Sequence, residues 1–160
     1  MINRYAGDVY SILIKNGELA VAESFTGGAV CAELVKIAGM SGLLKNGFVC
    51  YSNESKIKNL GVPYEIIEKY GAVSEQTAAK MLDGLIGLGY DFAIATTGNA
   101  GPGAEKEGEV GLCFIGVSTK EEKKVWKFHF DGDRETVINS GVKAALECAS
   151  KFFSEKVKRI

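Results

Sequence analysis

Histidine is almost missing from this chain, with His129 alone in 160 residues, and there are two prolines and one tryptophan. Metal sites built from several histidines are therefore excluded. A Ser-His-Asp triad would have to rest on His129, which alternates with Lys127 on the polar face of a strand and reads as exposed. The four cysteines, Cys31, Cys50, Cys113 and Cys148, are far apart, have no CxxC or metal-ligand spacing, and sit among apolar residues. Reduced, buried thiols in a cytoplasmic protein are the expectation. A charge excess is lacking too. The net charge of −1 argues against an electrostatic platform for nucleic acid, which usually needs a basic face. Lys151, Lys156, Lys158 and Arg159 are interrupted by Glu155 and read as a solvated helix end. No apolar run approaches the ~20 residues of a membrane span. The first 17 residues carry Asp8 in mid-segment and lack signal-peptide organisation.

What is present is the balance of a globular chain: 46% hydrophobic and 24% charged residues, and a length that suits one domain over residues 1–160. Ile2, Tyr5, Val9, Ile12 and Leu13 recur at helical spacing up to Asn16-Gly17. Leu19 to Ser24 reads as a buried strand, and Thr26-Gly27-Gly28 turns the chain into a helix reaching about Ile37. Gly47 to Tyr51 reads as a second strand, followed by Ser52-Asn53 capping a short helix that contains Lys56 and Leu60. Pro63 opens another short helix that ends at Gly71. Ser74 caps a helix to about Leu88. Asp91 to Thr96 is a third strand, followed by a glycine-rich loop from Thr97 through Ala104 to Glu109. Val110–Thr119 and Lys124–Phe130 form a hairpin around Lys120-Glu121-Glu122. Asp131-Gly132-Asp133-Arg134 leads into a last helix with Val137, Val142, Ala145, Leu146 and Phe153 inward. Strands alternating with helices, then a hairpin, predict a mixed sheet covered on both faces.

In such sheets ligands gather at the carboxyl ends of strands. Three polar motifs fall there: Glu23-Ser24-Phe25-Thr26-Gly27-Gly28, Tyr51-Ser52-Asn53-Glu54-Ser55-Lys56 and Thr97-Gly98-Asn99-Ala100-Gly101-Pro102. Each alone is equally a turn with a cap; their convergence favours a site. Ser24 needs a base, and Lys56 near a helix start is the candidate, because the helix dipole and burial both disfavour its ammonium form. A solvated helix lysine is the plain alternative. Backbone N–H groups around Thr26, Gly27 and Gly28, with the Thr97-Gly98 turn, are candidate oxyanion donors. Tyr51 relays a proton or fixes Lys56, or is a cross-strand core aromatic. Arg134 suits a phosphate by its bidentate geometry, or pairs with Asp131 or Asp133. Glu23 either supports the site or makes a strand-end salt bridge.

These motifs, in this order, resemble the CinA C-terminal domain family, the nicotinamide mononucleotide (NMN) deamidases. The similarity runs from about Leu19 to about Phe153. It includes Ala-Glu-Ser-x-Thr-Gly-Gly, Gly-Phe-Val-x-Tyr-Ser-Asn-Glu-x-Lys, Leu-Gly-Val, Gly-Ala-Val-Ser-Glu, Thr-Gly-x-Ala-Gly-Pro and Gly-Asp-Arg-Glu. The resemblance implies a three-layer α/β/α fold with a mixed, mostly parallel sheet, and a Ser/Lys amidohydrolase that turns NMN and water into nicotinate mononucleotide and ammonia. It implies Ser24 as nucleophile and Lys56 as base, with Tyr51, Thr97 and Arg134 among the active-site polar residues. No metal or organic cofactor is expected; the expected partners are the nucleotide substrate and a second copy in a homodimer, with neither nucleic acid nor membrane. Family members often carry an N-terminal molybdopterin-binding-like domain, and this chain resembles the form without it. Two positions depart: Phe25 stands where Cys or a small residue is common, and Asn99 where Ile or Val is usual, in the loop expected to face the substrate. Two alternative readings are a non-catalytic nucleotide- or phosphate-binding domain and a Ser/Lys hydrolase of another small amide.

Overall fold

The computed structural model describes residues 2–103 and 108–158, so residues 104–107 of the glycine-rich loop and Arg159 of the basic end lie outside the described residues. The elements are α1 (Ile2–Asn16), β1 (Leu19–Glu23), α2 (Ala29–Leu34), a short 3-10 turn (Met40–Gly42), β2 (Leu44–Val49), α3 (Asn53–Leu60), α4 (Tyr64–Tyr70), α5 (Glu75–Gly87), β3 (Phe92–Gly98), β4 (Leu112–Thr119), β5 (Lys123–His129) and α6 (Arg134–Val157). The sheet order is β2-β1-β3-β4-β5. β1 pairs in parallel with β2 and β3, while β4 is antiparallel to β3 and β5. The carboxyl ends of β1, β2, β3 and β5 therefore share one edge. Helices cover both faces, and the fold is the expected three-layer α/β/α arrangement. No helix among the described residues is long and apolar enough to cross a membrane.

Side-chain alternation divides the core into two layers. Leu19, Val21, Phe92 and Ile94 point to the layer shared with α1, α2 and α6. Ala20, Ala22, Ala93 and Ala95 point to the other, against Leu60 of α3 and Met81, Leu82 and Leu85 of α5. The small residues on this second face let α5 lie close to the sheet. A Cβ at Gly116 of β4 would meet Leu82 Cδ1 at 2.7 Å.

Helix starts follow local capping chemistry. Ser52 Oγ accepts from Ser55 N at 3.0 Å, Ser74 Oγ from Thr77 N at 3.1 Å, and Asp133 Oδ1 from Thr136 N at 2.8 Å. Each satisfies a donor that has no partner inside its helix. α2 is different. It starts at Gly28, φ 102°, with no side-chain cap of its own, and it ends at Leu34 rather than near Ile37. β2 begins at Leu44, three residues before the expected Gly47, and ends before Tyr51.

Phe25, one of the two departures, is buried in the α1/α6 layer. Its ring occupies the space a side chain would fill at Gly98 of β3 and Gly141 of α6. Alanine for glycine inside an open helix usually gains ~0.5–1 kcal/mol. At Gly141 the new methyl meets the Phe25 ring, and overpacking of this kind costs about 1–3 kcal/mol. Gly141→Ala is accordingly expected to destabilise the protein in urea unfolding, with a smaller loss in a Phe25→Ala background. Undiminished stability of Gly141→Ala contradicts this packing.

Candidate active site

β1 ends at Glu23, so Ser24 is the first residue beyond the strand, where the two layers meet at the sheet edge. Its N–H is shared between Thr96 O at 3.0 Å and Thr96 Oγ1 at 3.3 Å. Gly27 N donates to Ser24 O at 3.0 Å, closing a tight turn that needs positive φ at Gly27 and Gly28 (58° and 102°). From the opposite layer Lys56, in the first turn of α3, reaches across the edge. Its Nζ donates to Ser24 Oγ at 3.0 Å and to Cys50 O at 2.9 Å. Lys56 is 2% exposed and Ser24 7% exposed; the solvated alternative for the lysine does not describe this molecule. Cys50 is held in turn by its N–H donating to Glu23 O at 2.8 Å. A serine hydroxyl in hydrogen-bond contact with a buried amine is the geometry of a nucleophile and its base.

Around this pair the backbone offers donors. The N–H groups of Phe25, Thr26 and Gly28 make no hydrogen bond to another described residue, and Gly27 is exposed. The Gly27 N–H is already spent on Ser24 O, so it is not an oxyanion donor. Nor is there a Thr97-Gly98 turn: both residues belong to β3. Thr97 is buried with Oγ1 donating to Ala72 O at 2.7 Å, which fastens the α4–α5 connection to the sheet.

Tyr51 and Arg134 meet each other rather than the expected partners. Arg134 donates through Nη2 to Tyr51 Oη at 2.8 Å and through Nη1 to Gly101 O at 2.5 Å. Neither Asp131 nor Asp133 pairs with it among the described residues, because Asp133 caps α6. Tyr51 is 59% exposed, outside the strand, and is neither a core aromatic nor bonded to Lys56 among the described contacts. The guanidinium thus ties the β2–α3 connection to the glycine loop at the rim of the site.

Asn99 faces its own loop. Its Nδ2 donates to Gly103 O and Gly108 O, both at 3.0 Å, and its Oδ1 accepts from Gly101 N at 3.0 Å. All its polar atoms are engaged in bracing the segment that presents Gly101 O to Arg134. His129 lies on β5, at the far edge of the sheet from β2, within 3.4 Å of Glu109. Two contributors were not singled out beforehand: Thr96, which reads as one more residue of an apolar strand, and the Cys50 carbonyl, which carries no side-chain signal. Glu23 proves to be a hydrogen-bonded carboxylate rather than a member of any described ion pair.

The model of the CinA C-terminal domain matches residues 3–153. The chain belongs to this family. A putative competence-damage inducible protein of Caldicellulosiruptor saccharolyticus is 42% identical over 146 residues, covering 89% of this chain and 36% of its own length. A CinA-like protein of Fusobacterium nucleatum is 45% identical over 141 residues, covering 88% and 34%. The chain spans about one third of the length of these curated relatives. Among solved structures, a CinA superfamily protein from Klebsiella pneumoniae superposes with a TM-score of 0.91 at 30% identity, covering 97% of this chain and 99% of that one. Another from Escherichia coli gives 0.88 at 33%, covering 96% and 90%.

Cysteine is the other nucleophile type near the site, and its environment argues against that use. Burial pushes the Cys50 thiol up, against a weaker opposing pull from Ser55 and Lys56. Burial and the Glu23 carboxylate push Cys31 up, and burial takes Cys113 to about 12 and Cys148 to about 11. Each shift favours the protonated thiol, and only the thiolate reacts. Iodoacetamide at pH 8 is therefore expected to leave the native protein unmodified and to alkylate all four cysteines in urea, read by intact mass. Rapid stoichiometric labelling of Cys50 in the native protein contradicts this site.

Proposed function

We propose that this domain of the CinA family is an amidohydrolase that converts NMN and water into nicotinate mononucleotide and ammonia. The observation that carries the reading is the 3.0 Å contact between Lys56 Nζ and Ser24 Oγ, two buried side chains. The substrate comes from the resemblance of the motifs around these two residues. In this reading Lys56 works as the neutral amine, which accepts the Ser24 proton. Ser24 Oγ bonds to the carboxamide carbon, and the carbonyl oxygen takes the electron pair. Backbone N–H groups of Phe25, Thr26 and Gly28 supply the oxyanion donors. As the intermediate collapses the C–N bond breaks, and Lys56 returns its proton to the departing nitrogen, releasing ammonia. Water, activated by the same amine, then hydrolyses the Ser24 ester. Arg134, held against Tyr51 and Gly101, retains further N–H donors for the substrate phosphate.

Coupled measurement of ammonia release and calorimetric binding tests this. Ser24→Ala and Lys56→Ala are expected to lose at least about 10³-fold in kcat, and His129→Ala to stay near parental. Lys56→Arg, which cannot deprotonate, is expected to bind NMN yet stay inactive at every pH, whereas the parental rate rises with pH as Lys56 loses its proton. Tight NMN binding without ammonia from the parent at any pH overturns the reading in favour of a binding domain.

A further inference from the structure

The side chain of Glu23 is 0% exposed, and the proposed chemistry gives it no task. Burying a carboxylate is costly unless its lone pairs are satisfied. Here Oε1 accepts from Thr26 Oγ1 at 2.7 Å and from Val30 N at 2.8 Å, and Oε2 accepts from Cys31 N at 3.1 Å. Val30 and Cys31 are the second and third residues of α2, the helix without a cap of its own. A strand residue thus replaces the missing N-cap from five residues before Gly28. Two backbone N–H groups and a hydroxyl proton converge on the carboxyl oxygens, which accept from all three.

The consequence runs back to the nucleophile. Thr26 gives its proton to Glu23, so the 2.8 Å contact between Thr26 Oγ1 and Thr96 Oγ1 has Thr96 as donor. Thr96 Oγ1 then has a lone pair for the Ser24 N–H at 3.3 Å. The chain Ser24 N–H, Thr96, Thr26, Glu23 points one way throughout, each donor oriented by the carboxylate at its end. The same residue's main-chain oxygen holds Cys50, whose carbonyl holds Lys56.

We infer that Glu23 is a positioning residue: through Thr26 and Thr96 it sets the turn that carries Ser24 and its oxyanion donors, and through α2 it keeps that turn from relaxing. This rests on the nucleophile reading of Ser24. The test uses a small fluorophosphonate, diisopropyl fluorophosphate, on the intact protein. Ser24 Oγ–P forms, P–F breaks, fluoride leaves, and the hydroxyl proton passes to Lys56; labelling is followed by intact and peptide mass. In Glu23→Gln the amide nitrogen faces either the Cys31 N–H or the two Oε1 donors, donor against donor. The maximal labelling rate is then expected to fall about 10²-fold, as for misplacement of a reacting group. The half-saturating probe concentration is expected to move less than about threefold, the mark of lost positioning and not lost binding.

The Thr26 pair decides the matter even if Glu23→Gln folds poorly. Thr26→Val, of equal size without the hydroxyl, is expected to lose at least about tenfold in maximal rate, while Thr26→Ser keeps the hydrogen bonds and stays within about threefold. Equal rates for Thr26→Val and Thr26→Ser, or a parental rate in folded Glu23→Gln, overturn the inference while leaving Ser24 as nucleophile. A parent that takes no label at Ser24 overturns the nucleophile reading, and the inference with it.

Discussion

An amine buried as completely as that of Lys56 must find acceptors inside the protein, and the architecture of this site follows from where it finds them. Among them are the Ser24 hydroxyl, at the tip of β1, and the Cys50 carbonyl, just beyond β2. Both contacts require two parallel strands to end side by side and α3 to begin within a few residues of the second. β1–β2 pairing, carried on by the Glu23 O to Cys50 N bond, supplies the first condition. The Ser52 cap, which starts α3 at Asn53, supplies the second. Unsatisfied, such an amine would cost several kcal/mol. Satisfied by a serine, it stands at the contact through which the proposed proton transfer runs.

The two sides of the site differ in how they are held. The lysine side is fixed by ordinary secondary structure: a parallel pair and a capped helix. The serine side is a tight turn leading into a six-residue helix too short to be stable by itself, which begins after a left-handed glycine. It is held instead by polar links to Glu23 and by the Phe25 ring in the core. A bulky residue beside Ser24 is compatible with this turn only because Gly98 and Gly141 vacate the space. The rim is held in a third way, by Arg134 joining Tyr51 to a loop that Asn99 stitches together from within.

Much of this was legible in the amino-acid order. The strands read as apolar runs, and Ser52 and Ser74 announced their helices, because capping is decided by neighbours three residues apart; Asp133 was read as an alternative partner of Arg134 and proves to be the cap of α6. Ser24 and Lys56 could be paired by their place in ordered motifs. What could not be read depends on contacts between residues distant along the chain. The start of α2 after Thr26-Gly27-Gly28 was legible, but its cap comes from the strand before the turn, and its end at Leu34 rather than near Ile37 had no local signal. Thr97 resembled a loop hydroxyl, but β3 runs two residues past Thr96 because β4 pairs with it as far as Gly98 and Cys113. Asn99 was placed in the loop expected to face the substrate; the carbonyls its side chain holds lie up to nine residues away. Arg134 had two acidic neighbours in sequence, yet its partners come from residues 51 and 101.

The central claim is that Ser24, activated by Lys56, becomes covalently acylated. It is tested most directly by mixing the protein with NMN, quenching in acid within the first turnover, and mapping the adduct by peptide mass. The account predicts a nicotinate mononucleotide acyl group, joined as an ester, on the peptide that contains Ser24. Ammonia released in that first turnover with Ser24 unmodified, or with the acyl group on another residue, would contradict it.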